Sequence, residues 1–252
     1  MRALLLYVLL SLPSAFSLSQ SPFDTCAFTW PSILSANLTD GGPIASFSTF
    51  GSLEMPQEPS AELAQILSEI SVERINNTIN ALVAFGTRNT LSDKTSNATY
   101  GVGGARDWIA REMSSYIESS GGKLNVSVIS YIQEPAPNIP VATNISDVVG
   151  VLTGSTDPGR VYVISGHYDS RVTNVEDFTS FSPGADDDAS GVAIMLEAAR
   201  LFSALAGQGH GPKATVIFTA VAGEEQGLYG SAFLANSLAA EGTDVQGRRL
   251  IF

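Results

Sequence analysis

Closely spaced imidazole and carboxylate groups occur in three short segments of this 252-residue chain. They are His167 with Asp169, the run Asp186-Asp187-Asp188, and the pair Glu224-Glu225. Imidazole nitrogens and carboxylate oxygens are common metal ligands, and a carboxylate can also transfer a proton. These residue types predict a metal site, provided that the fold brings the three segments together.

The three adjacent aspartates need a compensating partner, because neighbouring like charges repel and lose hydration when the surrounding segments pack. An aspartate is favoured at a helix N-cap, where it also interacts well with the helix dipole. Only one of the three can occupy the N-cap, so a bound cation explains the run better than capping alone. A solvated acidic cap is the alternative.

His167 and Asp169 stand two residues apart, so in an extended segment their side chains point the same way. A carboxylate in that place can hydrogen-bond the second ring nitrogen of a ligating histidine and fix its tautomer. A satisfied histidine at a strand end is the alternative. His210, the other histidine, lies in a Gly-rich loop and is interpreted as part of a linker.

The glutamate pair follows an apolar run that ends at Ala222 and stands two residues before Gly227. Two successive carboxylates point in different directions, so one can bind a metal while the other is free to move a proton. An exposed acidic turn is the alternative.

The elements around these segments alternate between strands and helices. Apolar runs predict strands over 161–164 and 214–222, with a new run at 250–252, and helical spacing predicts helices near 189–205 and 230–240. Strands that alternate with helices in this way are parallel, and ligands bind outside their carboxyl ends. We therefore expect the three segments to converge at one edge of the sheet.

Further elements precede this unit. Apolar residues three and four apart predict helices over 61–70, 72–85 and 104–119, and we expect their apolar stripes to lie in the core. Alternation over 124–132 and an apolar run at 148–152 predict two strands.

The amino-acid composition of the chain limits the classes of function that it can have. An apolar content of 44% is ample for a buried core, and a formal charge of −12 argues against nucleic acid, which requires a basic surface. One Arg, a short apolar run and small residues predict a removable signal peptide over 1–17, and hence a secreted protein with no membrane attachment after its removal. Residues 18–60 resemble an extended leader or propeptide.

Five glycosylation sequons agree with secretion, all before residue 150: Asn37, Asn76, Asn97, Asn125 and Asn144. The single cysteine, Cys26, has no partner for an intrachain disulfide.

Together, HYDS at 167–170, PGADDDASG at 183–191 and GEEQGLYGS at 223–231 resemble the co-catalytic di-zinc aminopeptidases, the bacterial leucyl aminopeptidase-like exopeptidases of metallopeptidase clan MH. The histidine motif alone is weak, but the three blocks in this order are highly specific. The resemblance is sharpest over 148–238. It implies an α/β fold, a three-layer αβα sandwich with a mixed, largely parallel central sheet, which residues 61–252 would leave incomplete at the C-terminus.

The resemblance also implies roles for the matching residues. His167 would bind one zinc, Asp187 would bridge two zinc ions, and Glu225 would bind the other. Glu224 would be the general base, and Asp169 would orient His167. Activated water would attack the carbonyl of a peptide or protein with a free N-terminus, and the base would return the proton to the departing amine.

The family supplies two further ligands, an Asp at the end of the next strand and a later His, which would fall beyond Phe252. Each zinc would then have two protein ligands here, whereas catalytic zinc normally has three plus water. We therefore expect a truncated chain with weak metal binding and little activity.

Two other functions stay open. One is a non-catalytic secreted or ectodomain-like binding protein on the same scaffold, although no ligand position present is substituted. The other is a single-zinc acyltransferase of the glutaminyl cyclase type, which shares the HYDS opening and the fold but has a different acidic block. Side-chain specificity, the choice between amino- and carboxypeptidase, and the oligomeric state are not predicted.

Overall fold

The structure is a computed structural model that describes residues 61–240. The expected signal peptide at 1–17, the leader at 18–60, Cys26, Asn37 and the apolar run at 250–252 lie outside the described residues.

Helices and strands follow one another much as predicted. The helices are α1 (Ala61–Ser68), α2 (Val72–Val83), α3 (Gly101–Ser114), α4 (Ser190–Gly207), α5 (Glu224–Gly227) and α6 (Tyr229–Ala240). The strands are β1 (Leu124–Gln133), β2 (Thr143–Leu152), β3 (Asp157–His167) and β4 (Ala214–Val221). Strand β2 begins earlier than its apolar run because Thr143 to Asp147 also pair with β1, through polar residues that no apolar run marks.

The four strands form one mixed sheet in the order β1-β2-β4-β3. Strand β2 is antiparallel to both of its neighbours, and β3 is parallel to β4. The mixed sheet is confirmed, and its parallel pair is the one that the strand-helix-strand pattern predicts. The expected excess of parallel strands is not seen within residues 61–240, because β2 follows β1 through a short connection without a crossover helix.

The helices cover both faces of the sheet, which confirms the three-layer αβα architecture. On one face the core joins α2, α3 and α4 to the sheet, as in Leu82, Ile109, Leu196 and Phe218. On the other face Leu234 and Leu238 of α6 pack in a separate cluster with strand residues such as Val149 and Ile217.

The apolar stripe of α1 is not in the core. Leu63 is 52% exposed and Leu67 is 55% exposed, and Ile70, which lies beyond the end of the helix, is 41% exposed. The expectation for this helix is therefore wrong, whereas α2 and α3 each bury some of their residues. Periodicity marks a helix with an apolar side, but the position of the helix in the fold decides what covers that side. Helix α1 lies at the margin of the described residues.

Helix α4 is the central helix of the larger cluster. Within residues 61–240 the segment Ala185–Gly207 is the one helical stretch long and apolar enough to cross a membrane by composition alone, and 56% of its most apolar window is buried inside the fold. A buried core helix has the same composition, and α4 packs on the sheet through Val192 and Leu196.

Candidate metal centre

The parallel strand pair brings the predicted segments to one edge of the sheet. Strand β3 ends at His167, which is in register with Val221, the last residue of β4. After β4 the chain turns at Gly223, whose φ of 73° lies in the left-handed region that favours glycine, and α5 begins at Glu224. The acidic run lies in the segment Ala185–Ala189, directly before α4, where the backbone of Asp187 and Asp188 is not helical.

His167 lies between carboxylates on both sides of its ring. Its Nε2 is 3.0 Å from Asp187 Oδ1 and 3.9 Å from Glu224 Oε2. Its Nδ1 is 3.2 Å from the backbone oxygen of Asp169 and 3.4 Å from Oδ1 of the same residue. In the neutral ring, contacts on Nδ1 would fix the tautomer and present Nε2 to a metal.

Asp169 is fully buried and connects the histidine to the glutamate pair. Its carboxylate accepts the backbone N–H groups of Glu224, at 3.4 Å, and Glu225, at 3.2 Å. It also accepts the Thr90 hydroxyl at 3.1 Å, and the oxygen of that hydroxyl accepts the N–H of Gly223 at 3.0 Å. One carboxylate thus faces the ring of His167 and holds the first turn of α5.

The three aspartates have three different environments. The side chain of Asp187 is 74% exposed and reaches His167. Asp188 accepts two backbone N–H groups, that of His167 at 3.0 Å and that of Gly191 at 2.8 Å, and so ties the end of β3 to the start of α4. Asp186 is exposed, and its backbone oxygen accepts the hydroxyl of Ser190 at 2.7 Å. The hydroxyl of Ser190 therefore does not cap α4, whereas the carboxylate of Asp188 accepts an N–H group of its first turn.

Glu225 lies in an ion pair that the sequence did not suggest. Its side chain is 7% exposed, and its Oε2 accepts Arg171 Nε at 2.6 Å. Burial is the main cause that raises the pKa of Glu225; the charges of Asp169 and Asp187 add to it, and Arg171 opposes it. Asp187 thus contacts His167 directly and affects Glu225 through its charge.

The carboxylates also perturb the histidine. Burial alone would lower the pKa of His167, but the hydrogen bond and charge of Asp169, with the charges of Glu224 and Asp188, raise that pKa to about 9. The metal-free ring is therefore mostly protonated at neutral pH, and a metal ion must displace that proton.

Three residues of the centre were not assigned roles from the sequence: Thr90, Arg171 and Arg88. Arg171 stands four residues after His167, so its place in the same loop was a usable signal. Thr90 and Arg88 are nearly 80 residues upstream of the histidine and have no local signal of a role. Arg88 is fully buried, and its Nε donates to the backbone oxygen of Tyr168 at 2.7 Å.

The donor atoms of the centre suit zinc in kind, because they are an oriented imidazole nitrogen and several carboxylate oxygens. The 3.0 Å between His167 Nε2 and Asp187 Oδ1 suits two ligands that share one ion at about 2.0–2.2 Å. Within residues 61–240 no group of three or more His, Cys, Asp or Glu side chains is arranged to enclose a metal ion. The described residues therefore do not enclose a metal ion by themselves.

Comparison with known proteins agrees with this chemistry. Residues 147–247 match the model of peptidase family M28. A probable zinc metalloprotease of Pyricularia oryzae is 44% identical over 239 residues, which cover 94% of this chain and 44% of that protein. The chain thus spans less than half the length of this curated relative.

Solved structures share the fold. The LapA aminopeptidase of Legionella pneumophila superposes with a TM-score of 0.55 at 20% identity, over 78% of this chain and 47% of its own. A glutaminyl cyclase from an Acidobacteriales bacterium superposes with a TM-score of 0.52 at 16% identity, over 79% of this chain and 60% of its own. At these identities the likeness concerns the fold alone.

Proposed function

The chain belongs to peptidase family M28, and on that premise we propose that its centre binds zinc and takes part in the hydrolysis of peptide bonds. One observation carries the proposal: His167, Asp187, Glu224 and Glu225 come from three segments and meet at one edge of the sheet. We favour an aminopeptidase, acting on peptides with free N-termini, because the motifs at 167–170, 183–191 and 223–231 resemble those of the co-catalytic di-zinc aminopeptidases.

His167 and Asp187 would hold one zinc ion, and Asp187 and Glu225 a second. Asp187 suits a bridging role because it is 74% exposed, touches His167 through Oδ1 and has its Oδ2 available. Its charge also contributes to the raised pKa of Glu225, which is consistent with a position between the two proposed sites. Two cations would offset the repulsion among these carboxylates.

Glu224 would act as the general base. When bound, zinc supplies a Lewis acid that lowers the pKa of water to about 7. The carboxylate of Glu224 is 3.9 Å from His167 Nε2 and 36% exposed, so it lies beside the proposed ligands and still reaches solvent. It can accept a proton from the attacking water and return that proton to the departing amine. Asp169 keeps the ring of His167 and the backbone of Glu224 in place meanwhile.

Zinc binding to the 252-residue chain is the primary test, because the chain spans 44% of its Pyricularia relative and turnover is expected to be weak. Equilibrium dialysis followed by metal analysis measures the zinc retained at neutral pH. We expect His167→Ala and Asp187→Asn each to weaken binding by about tenfold or more, since each removes a proposed ligand.

Asp186→Asn is the matched control for this experiment. It removes the same charge from the neighbouring position, where the side chain is exposed and is not proposed as a ligand. Zinc retention that is equal in the wild-type chain, His167→Ala and Asp187→Asn would show that the metal binds elsewhere and would refute the proposed centre.

Glu224→Gln separates the proton-transfer role from metal binding. The variant should retain zinc like the wild-type chain, because Glu224 is not a proposed ligand, and should lose about 10²–10⁴-fold of any hydrolysis of an aminoacyl anilide. An N-acetylated form of the same substrate tests the need for a free N-terminus. Wild-type hydrolysis by Glu224→Gln would contradict the assignment of the base.

We also propose that the protein is secreted and glycosylated. Support comes from the signal-like N-terminus and the sequons, of which Asn76, Asn97 and Asn125 are exposed in the fold. Asn97 accepts the N–H and hydroxyl of Thr99 within its own sequon. Expression in a eukaryotic host should yield secreted chain whose mass falls on endoglycosidase treatment. An unmodified chain retained in the cells would contradict both statements.

A further inference from the structure

Arg88 is the largest side chain that the described fold buries completely. Within residues 61–240 no carboxylate lies at ion-pair distance from its guanidinium, and burial lowers its pKa to about 10, against the opposing effects of Asp169 and Asp188. The group therefore stays charged at neutral pH. Burying a charge costs several kcal/mol before compensation, so the hydrogen bonds of this guanidinium must offset that cost.

The guanidinium donates to four backbone oxygens on three separate segments. Nε reaches Tyr168 at 2.7 Å, and Nη1 reaches Leu82 at 3.0 Å, at the end of α2. Nη1 also donates to Pro183 at 2.6 Å, and Nη2 donates to Gly184 at 2.9 Å. Charge-assisted bonds of this kind are stronger than neutral ones, and the planar fork fixes the directions of the atoms that it holds.

These segments carry the proposed zinc ligands. Tyr168 directly follows His167, and Pro183 and Gly184 form the turn that leads to Asp187. Gly184 has a left-handed φ of 46°, and a Cβ there would lie 2.6 Å from Ser170 Cβ, 2.7 Å from the backbone oxygen of Asp187 and 2.9 Å from Arg88 Nη2. The turn therefore packs against both the loop after β3 and the guanidinium at distances that favour glycine.

A serine reinforces the connection. Ser170 Oγ accepts the N–H of Arg88 at 3.1 Å and donates to the backbone oxygen of Ser182 at 2.8 Å. The N–H of Ser170 in turn donates to the backbone oxygen of Arg88 at 3.3 Å. Arg88 thus joins the loop after β3 to the turn before the acidic run in two ways. Its guanidinium bonds to the backbone of both segments, and its own backbone bonds to Ser170, which in turn bonds to Ser182.

We propose that Arg88 is a positioning residue that sets the distance between His167 and Asp187. It touches neither side chain and acts through the two segments that carry them. The inference builds on the proposed zinc centre. An apolar side chain of similar size would fill the space, but the carbonyls of Tyr168 and Pro183 would lose the donor that holds them, and the two segments would be free to move apart.

Arg88→Lys and Arg88→Met test the proposal in the 252-residue chain, with Arg200→Met as the matched control. Arg200 also donates to a buried partner, Glu197, at 2.7 Å, and to the backbone of Glu69 at 2.9 Å, but it serves α4 and the end of α1. Chemical denaturation gives the stability of each variant, and competition with a chelating dye gives the zinc affinity of the folded chain.

We expect Arg88→Lys to weaken zinc binding by about tenfold and Arg88→Met by up to about a hundredfold, the range for residues that orient metal ligands. The lysine variant should retain part of the affinity because an ammonium can still hold one or two of the carbonyls. Arg200→Met should lose stability while it binds zinc within about twofold of wild type. Wild-type zinc affinity in the folded Arg88 variants would overturn the proposal.

A crystal structure of the metal-free Arg88→Lys variant separates this inference from the proposed function. The distance between His167 Nε2 and Asp187 Oδ1, 3.0 Å here, should lengthen whether or not the protein binds zinc. An unchanged distance would refute the positioning role, whereas a wild-type chain that binds no zinc would refute the proposed function alone. If neither Arg88 variant folds, Gly184→Ala decides, because its Cβ would lie 2.9 Å from Arg88 Nη2 and would push the turn away from the guanidinium; an unchanged distance there would refute the inference.

Discussion

Asp169 contacts both the histidine and the glutamate pair of the centre. Its buried carboxylate faces the ring of His167 and accepts the backbone N–H groups of both glutamates. Because it raises the pKa of His167, it stabilises the charged ring in the metal-free protein. The same contact orients Nε2 toward Asp187, so the residue prepares the site for metal while it also favours the competing proton.

Asp169→Asn should lower the pKa of His167 from about 9 toward 6.5, because the largest favourable charge is removed. In the wild-type chain, the interactions that raise the pKa of His167 stabilise the fold. Their contribution is complete below about pH 6.5 and is lost as the pH rises to about 9. Titration of the ring by NMR, with His210→Gln to assign the signals, measures the change. An unaltered titration in Asp169→Asn would contradict the assigned cause.

Asp147 is a second buried carboxyl with an unusual environment. Its Oδ1 accepts the N–H of Ala222 at 3.1 Å, and its Oδ2 has no partner among the described residues. Burial raises its pKa to about 7; the bond from Ala222 opposes this shift, and the charge of Asp169 adds to it. The folded protein therefore binds a proton here that the unfolded chain releases near pH 4.

The raised pKa of Asp147 means that its contribution to stability falls as the pH rises from about 4 to about 7. Between about pH 5 and pH 8 the fall should be roughly 2–3 kcal/mol. Asp147→Asn cannot titrate, so urea denaturation of the variant should lack this part of the pH dependence. Parallel stability curves for the two proteins would show that Asp147 is ionised throughout.

At the scale of elements, the site depends on how closely α4 approaches β3. A Cβ at Gly166 would lie 2.8 Å from the backbone N of Val192 and 2.9 Å from the carbonyl carbon of Gly191. This approach lets the carboxylate of Asp188 accept N–H groups from both elements, at His167 and Gly191. The strand end and the helix start are therefore held at a distance that only glycine permits.

Gly166→Ala should lower the free energy of unfolding by about 1–3 kcal/mol, because backbone atoms must move to admit the methyl group. It should also weaken zinc binding, since the start of α4 moves relative to His167. Gly159→Ala is the control on the same strand, where a Cβ meets nothing within 4 Å. Equal denaturation midpoints for the two variants would contradict the close approach.

At the scale of the whole molecule, metal binding should be coupled to folding, because the proposed ligands come from distant parts of the chain. His167 ends β3, Asp187 precedes α4 and Glu225 lies in α5. A ligand that binds only the folded state stabilises it by mass action, by about 2.7 kcal/mol when its free concentration is a hundred times the dissociation constant.

Zinc should therefore raise the melting temperature of the chain in a concentration-dependent manner, and a chelator should reverse the increase. The increase should disappear in His167→Ala but remain in Asp186→Asn. Calorimetry over a series of zinc concentrations measures it. A similar increase in His167→Ala would place the stabilising ion away from the proposed centre.

Much of the fold follows from local patterns. Most of the described helices and strands appear where apolar periodicity places them, but α5 and the first half of β2 were not predicted. The parallel pairing of β3 with β4 follows from the helix between them. The antiparallel pairing of β2 with β4 does not, because those strands are separated in the chain by β3 and α4. The exposure of the α1 stripe was missed for a related reason, since periodicity does not reveal which neighbour covers an apolar side.

The sequence by itself determined which chemical groups the centre uses, their order, and the strand ends and helix start that carry them. Residue type, spacing and periodicity are local properties that a single chain displays. Only the tertiary structure decided that Asp188 accepts N–H groups from both β3 and α4, whereas the side chain of Asp187 stays exposed. It also decided that Arg171 forms an ion pair with Glu225, and that Arg88 bonds to carbonyls 80 to 96 residues away. Contacts over such separations depend on how the layers pack, and no local pattern encodes them.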